Sequence, residues 1–212
     1  MMVIILRTSS SSPDPETIAQ AAEVVSKGGV IVYPTDTVYG LGADALDAHA
    51  VLKVFQVKRR PLELPLPVAV DGHQMAERLA VVTKDARRLM DNFWPGSLTI
   101  VLYKKDIVPD VVTGGKSKVA VRAPNHQIPL RIIVRTGLPL TSTSANIHRK
   151  PSIMSAQEAR AQLEGVDLII DGGRATGIPS TVIDMTQETP RILRQGSIST
   201  EDIVRVLGRN IC

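Results

Sequence analysis

Gly28-Gly29-Val30-Ile31-Val32-Tyr33-Pro34-Thr35-Asp36-Thr37-Val38-Tyr39-Gly40-Leu41-Gly42 holds three structural changes in one short stretch. The glycine pair stops whatever precedes it, Val30 to Tyr33 is a short β-branched strand, and Pro34 cuts that strand off before a polar loop running from Thr35 to Gly42. Upstream, Ile18, Ala21, Ala22 and Val25 fall at i, i+3, i+4 and i+7, one apolar face of a helix. Asp14 is placed to cap that helix and Pro15 to occupy its first position. Met2 to Leu6 reads as a strand before it, and Ser9 to Ser12 as a loop.

The same alternation continues outward from this stretch. A helix is predicted over Ala48–Val57, a strand over Leu66–Val70, and helices over Asp71–Leu79 and Thr83–Phe93, the latter facing inward with Ala86, Leu89, Met90 and Phe93. Leu98–Tyr103 and Lys118–Arg122 are β-prone, a helix follows near Pro129–Thr136, and Leu138–Thr141 leads into Ser142-Thr143-Ser144-Ala145-Asn146. Ser155-Ala156-Gln157-Glu158 is a capping box for a helix ending near Leu163. Val166–Ile170, Ser180–Asp184 and Arg191–Arg194 complete the strands, and Ser199 caps a last short helix. Mixed alternation of this kind predicts an α/β fold, a central mixed sheet with helices packed on it. With no internal repeat, low-complexity tract or linker, residues 1–212 are expected to form a single domain.

Composition narrows the function. Hydrophobic residues make up 43% and charged residues 22%, so a wholly disordered chain is excluded. The only aromatic rings of Phe, Tyr and Trp are Tyr33, Tyr39, Phe55, Phe93, Trp94 and Tyr103, which predicts an aliphatic core and argues against a base-stacking platform. The single cysteine, Cys212, rules out an internal disulfide and fits a reducing compartment. No apolar run approaches the roughly 18 residues of a membrane span, so a cytoplasmic protein is expected. A net charge of +4 favours anionic partners in general.

Several ready-made chemistries drop out. Gly114-Gly115-Lys116-Ser117 resembles the end of a phosphate-binding P-loop, but Asp110 stands where its first glycine is needed, and the stretch reads as a basic flexible turn. His49, His73, His126 and His148 are scattered, without metal-ligand spacing. There is no Gly-x-Ser-x-Gly elbow and no Gly-x-Gly-x-x-Gly after a strand.

Short polar motifs at strand ends remain. Thr35-Asp36-Thr37 follows a buried strand, where α/β folds place ligand contacts; it serves equally as an ordinary turn stabilised by Thr35 and Asp36. Lys58-Arg59-Arg60-Pro61 either complements a helix C-terminus or, with Pro61 extending the chain, presents Lys58 and Arg60 on one face to adjacent phosphates while Arg59 points elsewhere. In Ser142-Thr143-Ser144-Ala145-Asn146 alternation turns Ser142, Ser144 and Asn146 the same way. Arg122 and Arg194 each close a strand.

Pro34 to Leu41, Lys58 to Pro61, Trp94-Pro95-Gly96, Val119 to His126, Ser144-Ala145-Asn146, Ser180 to Asp184 and Ile192-Leu193-Arg194 occur in the order of the YrdC-like family, which this sequence resembles from about Thr17 to Gly208. The resemblance implies a twisted open α/β sheet with a large concave basic cavity. It also implies L-threonylcarbamoyladenylate synthase activity, a nucleotidyl transfer. Threonine, bicarbonate and ATP give threonylcarbamoyl-AMP and pyrophosphate, for modification of ANN-decoding tRNA by a separate transfer complex. The family's Lys-x-Arg and Ser-x-Asn signature falls on Lys58, Arg60, Ser144 and Asn146. The resemblance makes these the catalytic set, with Lys118, Ser152 and Arg194 completing the ATP site. Thr37, Arg122, Ser142 and Ser180 are implied as the threonine site. Mg²⁺ is expected with the phosphates and no dedicated protein metal site. The extra C-terminal domain of some members is not expected. The alternatives implied are a non-catalytic binder of double-stranded RNA or tRNA and a YciO-like paralogue. Leu64 and Ala69 depart from the family pattern in the nucleotide and threonine sites, and Ser97 and Gln195 each replace a common proline.

Overall fold

In the computed structural model, which describes residues 3–212, β1 covers Ile4–Arg7; the expected start of this strand at Met2 lies outside the described residues. Helix α1, Pro15–Ser26, forms where its signals put it. The Asp14 carboxylate accepts from the Thr17 amide at 2.9 Å, Pro15 supplies a first-turn residue that has no donor to lose, and Ile18, Ala21, Ala22 and Val25 are buried.

The polar loop expected over Thr35–Gly42 is only half a loop. β2, Ile31–Tyr33, is followed by β3, Gly40–Gly42, which pairs antiparallel with it so that Tyr33 faces Gly40 and Ile31 faces Gly42. Gly-Leu-Gly looks like a turn in sequence but serves here as a strand with one face bare of side chains, while Leu41 on the other is buried in the core. The Tyr33 ring lies across it, and a Cβ on Gly42 would come within 2.5 Å of Tyr33 Cε1. The fully buried phenol donates to the Thr141 carbonyl, and burial pushes its pKa up to about 12.

Downstream lie α2 (Ala48–Lys58), β4 (Val68–Ala69), α3 (His73–Leu79), α4 (Lys84–Phe93) and β5 (Leu98–Tyr103). A short α5 (Asp110–Thr113), not foreseen, precedes the Gly114–Ser117 turn. Then come β6 (Lys118–Arg122), α6 (Gln127–Thr136), β7 (Leu140–Thr141), β8 (Thr143–Ser144), α7 (Ala156–Gln162), β9 (Leu168–Asp171), β10 (Thr181–Asp184), β11 (Arg191–Arg194) and α8 (Thr200–Leu207). β4 is shorter than the expected Leu66–Val70 because Pro65 and Pro67 have no N–H for a ladder.

The strands divide into two mixed sheets rather than one central sheet. The first runs β1-β9-β2-β3-β8 and the second β11-β10-β5-β6-β4-β7. Ser142 alone separates β7 in one from β8 in the other, and its amide donates to the Pro67 carbonyl at 2.7 Å, so it stands at the seam. A contiguous buried cluster of Val, Ile, Leu, Ala and Met, joined by Tyr33, Tyr39 and Phe55, spans both sheets, as the composition predicts. The C-terminal segment belongs to the fold: β11 pairs with β10, and α8 packs on α4 with Arg88 donating to the Leu207 carbonyl. Among the described residues no helix is long and apolar enough to cross a membrane.

Candidate active site

One face of the second sheet forms the floor of a cavity of about 350 Å³. Val101 pairs with Ala120 across β5–β6, and Val182 with Thr99 across β10–β5. Period-two alternation therefore brings Val101, Ala120 and Val182 together as an apolar centre, with Thr99, Arg122 and Ser180 at one end. The walls come from the Thr35–Val38 turn, from Ser142–Ser144 at the seam, from Arg60 with Pro65–Pro67, and from Leu193 and Arg194. Three arginines and no carboxylate line it, among the described residues. The expected concave basic cavity is present.

Arg122 is 7% exposed and held on three sides. Its Nε donates to the Gly96 carbonyl (2.8 Å), one Nη to Thr37 Oγ1 (2.9 Å) and the other to Asp36 Oδ1 (2.6 Å). Burial lowers its pKa and the Asp36 carboxylate opposes that shift. Asp36 was legible only as a turn residue, yet it is the counter-ion of this arginine, and its second oxygen accepts from Ser97 Oγ at 3.0 Å.

Thr35 Oγ1 donates to the Val38 carbonyl (2.7 Å), accepts from the Thr37 and Val38 amides and lies 2.9 Å from Thr37 Oγ1. Thr37 Oγ1 also accepts from Arg122, so this hydroxyl is held in place at the cavity wall.

Ser180 is 5% exposed, with its hydroxyl 2.8 Å from that of Thr99 and 3.0 Å from Arg194 Nη2. Arg194 also donates to the Ser180 carbonyl through Nε and Nη2, which ties β11 to this end of the cavity. Thr99 escaped notice in the sequence. The signal was a hydroxyl at an inward position of the apolar strand Leu98-Thr99-Ile100-Val101-Leu102.

Lys58 and Arg60 do come close, but not by extended-chain alternation. Lys58 ends α2, Arg59 adopts a left-handed conformation (φ 51°), and the turn this makes brings Arg60 round. Arg59 does point elsewhere, toward Glu164 at 3.9 Å. Arg60 lines the cavity, braced by the Leu64 and Pro65 carbonyls at 3.3 and 3.0 Å. Lys58 lies behind the wall, 1% exposed, with its ammonium on the Ser144 and Asn146 carbonyls and 3.5 Å from Asn146 Oδ1. Asn146 is likewise buried and holds its own loop, donating to the Ile147 and Lys150 carbonyls. Ser142, Ser144 and Ser152 line the cavity. Lys118 does not; it is paired with Asp184 at 3.0 Å. Leu64 sits on the loop that braces Arg60, and Ala69 is in register with Arg122 across β4–β6.

Burial, and secondarily the Arg60 charge, push Lys58 down to about 7 from an ordinary 10.5. Between those values the folded chain binds fewer protons than the unfolded one, so the Lys58 contribution to stability rises with pH across that window, by up to about 1.4 kcal/mol per unit. In urea titrations at pH 7, 8 and 9, the stability of the wild type minus that of Lys58→Met is expected to climb. A flat difference would mean that the carbonyl oxygens hold the proton at its ordinary affinity.

Among the described residues, no three His, Cys, Asp or Glu side chains gather as a metal site. The family model Sua5_yciO_yrdC, described as "Telomere recombination", matches residues 23–196. The chain is 44% identical over 191 residues to the threonylcarbamoyl-AMP synthase of Pyrococcus abyssi, covering 89% of this chain and 56% of that protein. It is 40% identical over 202 residues to the threonylcarbamoyl-AMP synthase of Bacillus subtilis, covering 93% and 58%. The crystal structure of P. abyssi Sua5 complexed with L-threonine superposes with a TM-score of 0.92 at 41% identity, covering 98% of this chain and 61% of that one. The chain thus spans less than two thirds of the length of these relatives. A family match over most of the chain, on a fold and cavity of the kind the motifs imply, means that this chain belongs to the Sua5/YciO/YrdC family.

Proposed function

We propose that the chain makes threonylcarbamoyl-AMP and pyrophosphate from L-threonine, bicarbonate and ATP, as a nucleotidyltransferase of the cytoplasm that supplies a tRNA-modifying transfer complex. The observation that carries this reading is a cavity with three arginines, no carboxylate and a ring of hydroxyls over an apolar floor. Such a wall suits a polyphosphate together with a small polar amino acid. An RNA-binding surface would instead spread its cations over a broad face.

The product contains a new N–C bond and a new O–P bond. The threonine nitrogen must bond the bicarbonate carbon with loss of water, and a carboxylate oxygen so formed must displace pyrophosphate from the α-phosphorus. In this reading the free N–H groups of Arg122 take the threonine carboxylate while Thr37 faces its amine, with Ser142 and Ser180 beside them. Arg60 and Arg194, with Ser144 and Ser152, take the nucleotide and the charge that builds on the leaving pyrophosphate. Lys58 and Asn146 act from behind the wall by fixing the Ser144–Asn146 loop, and Lys118 stands at the edge. Mg²⁺ would arrive with ATP, held by phosphate oxygens and water, since the cavity wall offers it no carboxylate.

The test is pyrophosphate release from ATP with each co-substrate omitted in turn, together with chromatography for the adenylate. Wild-type release is expected to require both threonine and bicarbonate, and Arg60→Ala to lose about 10²-fold. Folded wild-type protein that releases none would overturn the reading. Salt-sensitive titration with double-stranded RNA would then decide for the binding protein.

A further inference from the structure

An arginine has five N–H donors, and on Arg122 three are committed before any ligand arrives. Nε holds the Gly96 carbonyl, one Nη holds Thr37 Oγ1 and the other holds Asp36 Oδ1, which leaves one N–H on each Nη for a ligand. Two N–H groups grip a carboxylate together only while the guanidinium plane is fixed.

Asp36 does not line the cavity, although Thr35, Thr37 and Val38 of its own turn do. Both its oxygens are engaged, one by Arg122 at 2.6 Å and one by Ser97 Oγ at 3.0 Å. Thr176 Oγ1 ties its backbone carbonyl down at 3.0 Å. Side-chain exposure is 8% for Arg122 and 17% for Asp36, so little water is available to replace the contact.

We propose that Asp36, oriented by Ser97, is the positioning residue that aims Arg122 at the carboxylate of the amino-acid substrate. This rests on the reading above, in which Arg122 takes that carboxylate. Asp36 touches no substrate; it acts through the arginine. Its charge is not what the aim requires, because an amide oxygen accepts the same Nη bond while the amide nitrogen donates to Ser97 Oγ.

L-Threonine binding to the full chain is measured by calorimetry for the wild type, Asp36→Ala, Asp36→Asn and Ser97→Ala, with melting temperatures and steady-state constants alongside. Asp36→Ala is expected to weaken threonine binding about 10²-fold, the scale of a misaimed contact, and to raise KM for threonine in step. KM for ATP, and kcat at saturating threonine, should stay within about threefold. Asp36→Asn is expected to keep wild-type affinity or tighten it, since repulsion between the two carboxylates is gone. Ser97→Ala should cost roughly three- to tenfold, one hydrogen bond's worth. Equal weakening by Asp36→Asn and Asp36→Ala would overturn the proposal in favour of a charge or folding role, and unchanged affinity in Asp36→Ala would overturn it outright. Should Asp36→Ala not fold, Ser97→Ala decides, and an unchanged affinity there sinks the idea. A wild type that binds no threonine removes both the functional reading and this inference. A wild type that binds threonine, with Asp36→Ala binding as well, removes this inference alone.

Discussion

Replacing Arg122 by methionine is expected to lower stability by about 3–5 kcal/mol, the cost of removing one partner from a buried ion pair. The loss does not come from the arginine alone. Asp36, the Gly96 carbonyl and Thr37 Oγ1 all lose their donor at once, in a place where Arg122 itself is 7% exposed. The stranded carboxylate should dominate, and a second change can isolate it. Arg122→Met with Asp36→Asn is expected to recover part of the loss, because no unpaired charge is then left behind. Urea unfolding of the wild type, the two single variants and the double variant closes that cycle. A loss below about 1 kcal/mol for Arg122→Met would mean that Ser97 and water satisfy Asp36 unaided. Threonine-dependent pyrophosphate release should fall at least about 10²-fold in the same variant, measured under conditions where it remains folded.

Gly196→Ala should cost about 3 kcal/mol, the upper end of ordinary overpacking, and roughly 6–12 °C in melting temperature. A Cβ at this position would overlap the Pro179 carbonyl oxygen, the Ser180 carbonyl carbon and the Thr181 nitrogen, all of them backbone. A flexible side chain could swing aside; this segment is pinned. The Gly196 and Ile198 amides donate to Thr181 Oγ1 at 2.9 and 3.1 Å, and that hydroxyl donates to the Ile198 carbonyl at 2.7 Å. Ser180 lies between the clashing atoms, so the shift that relieves the overlap also moves its hydroxyl away from Thr99 and Arg194. Activity should therefore fall further than the stability loss explains. Calorimetric melting within 1 °C of wild type would show that the turn yields without cost, contrary to this account.

Much of the local structure was legible because its causes are local. The Asp14 cap with Pro15, the i, i+3, i+4, i+7 face of α1, the β-branched run of β5 and the Ser155 and Ser199 caps each act within a few residues, and each formed where expected. The reading failed where a distant partner decides. Gly40-Leu41-Gly42 carries a turn composition, and only the Tyr33 ring lying across it explains why it is a strand. Lys58 and Arg60 were brought together by the left-handed Arg59 at the end of α2, whereas the phosphate-facing reading assumed extended chain before Pro61. That difference put one cation behind the cavity wall and the other in it. Lys58 in the last helical turn fits the other reading, a cation at a helix C-terminus.

The sequence by itself determined most of the helices and strands, though not β3, β8 or α5, and it also determined that the core is aliphatic and which polar motifs sit at strand ends. These follow from capping, side-chain periodicity and propensity, all of which act over one or two turns of chain. Tertiary structure alone decided that the strands split into two sheets with Ser142 at the seam, and that Thr99 joins Ser180 and Arg194. It alone paired Arg122 with Asp36, 86 residues away. A side chain's hydrogen-bond partner is set by which strands lie side by side, and that choice is made by burying the whole core at once. No short window of sequence contains it.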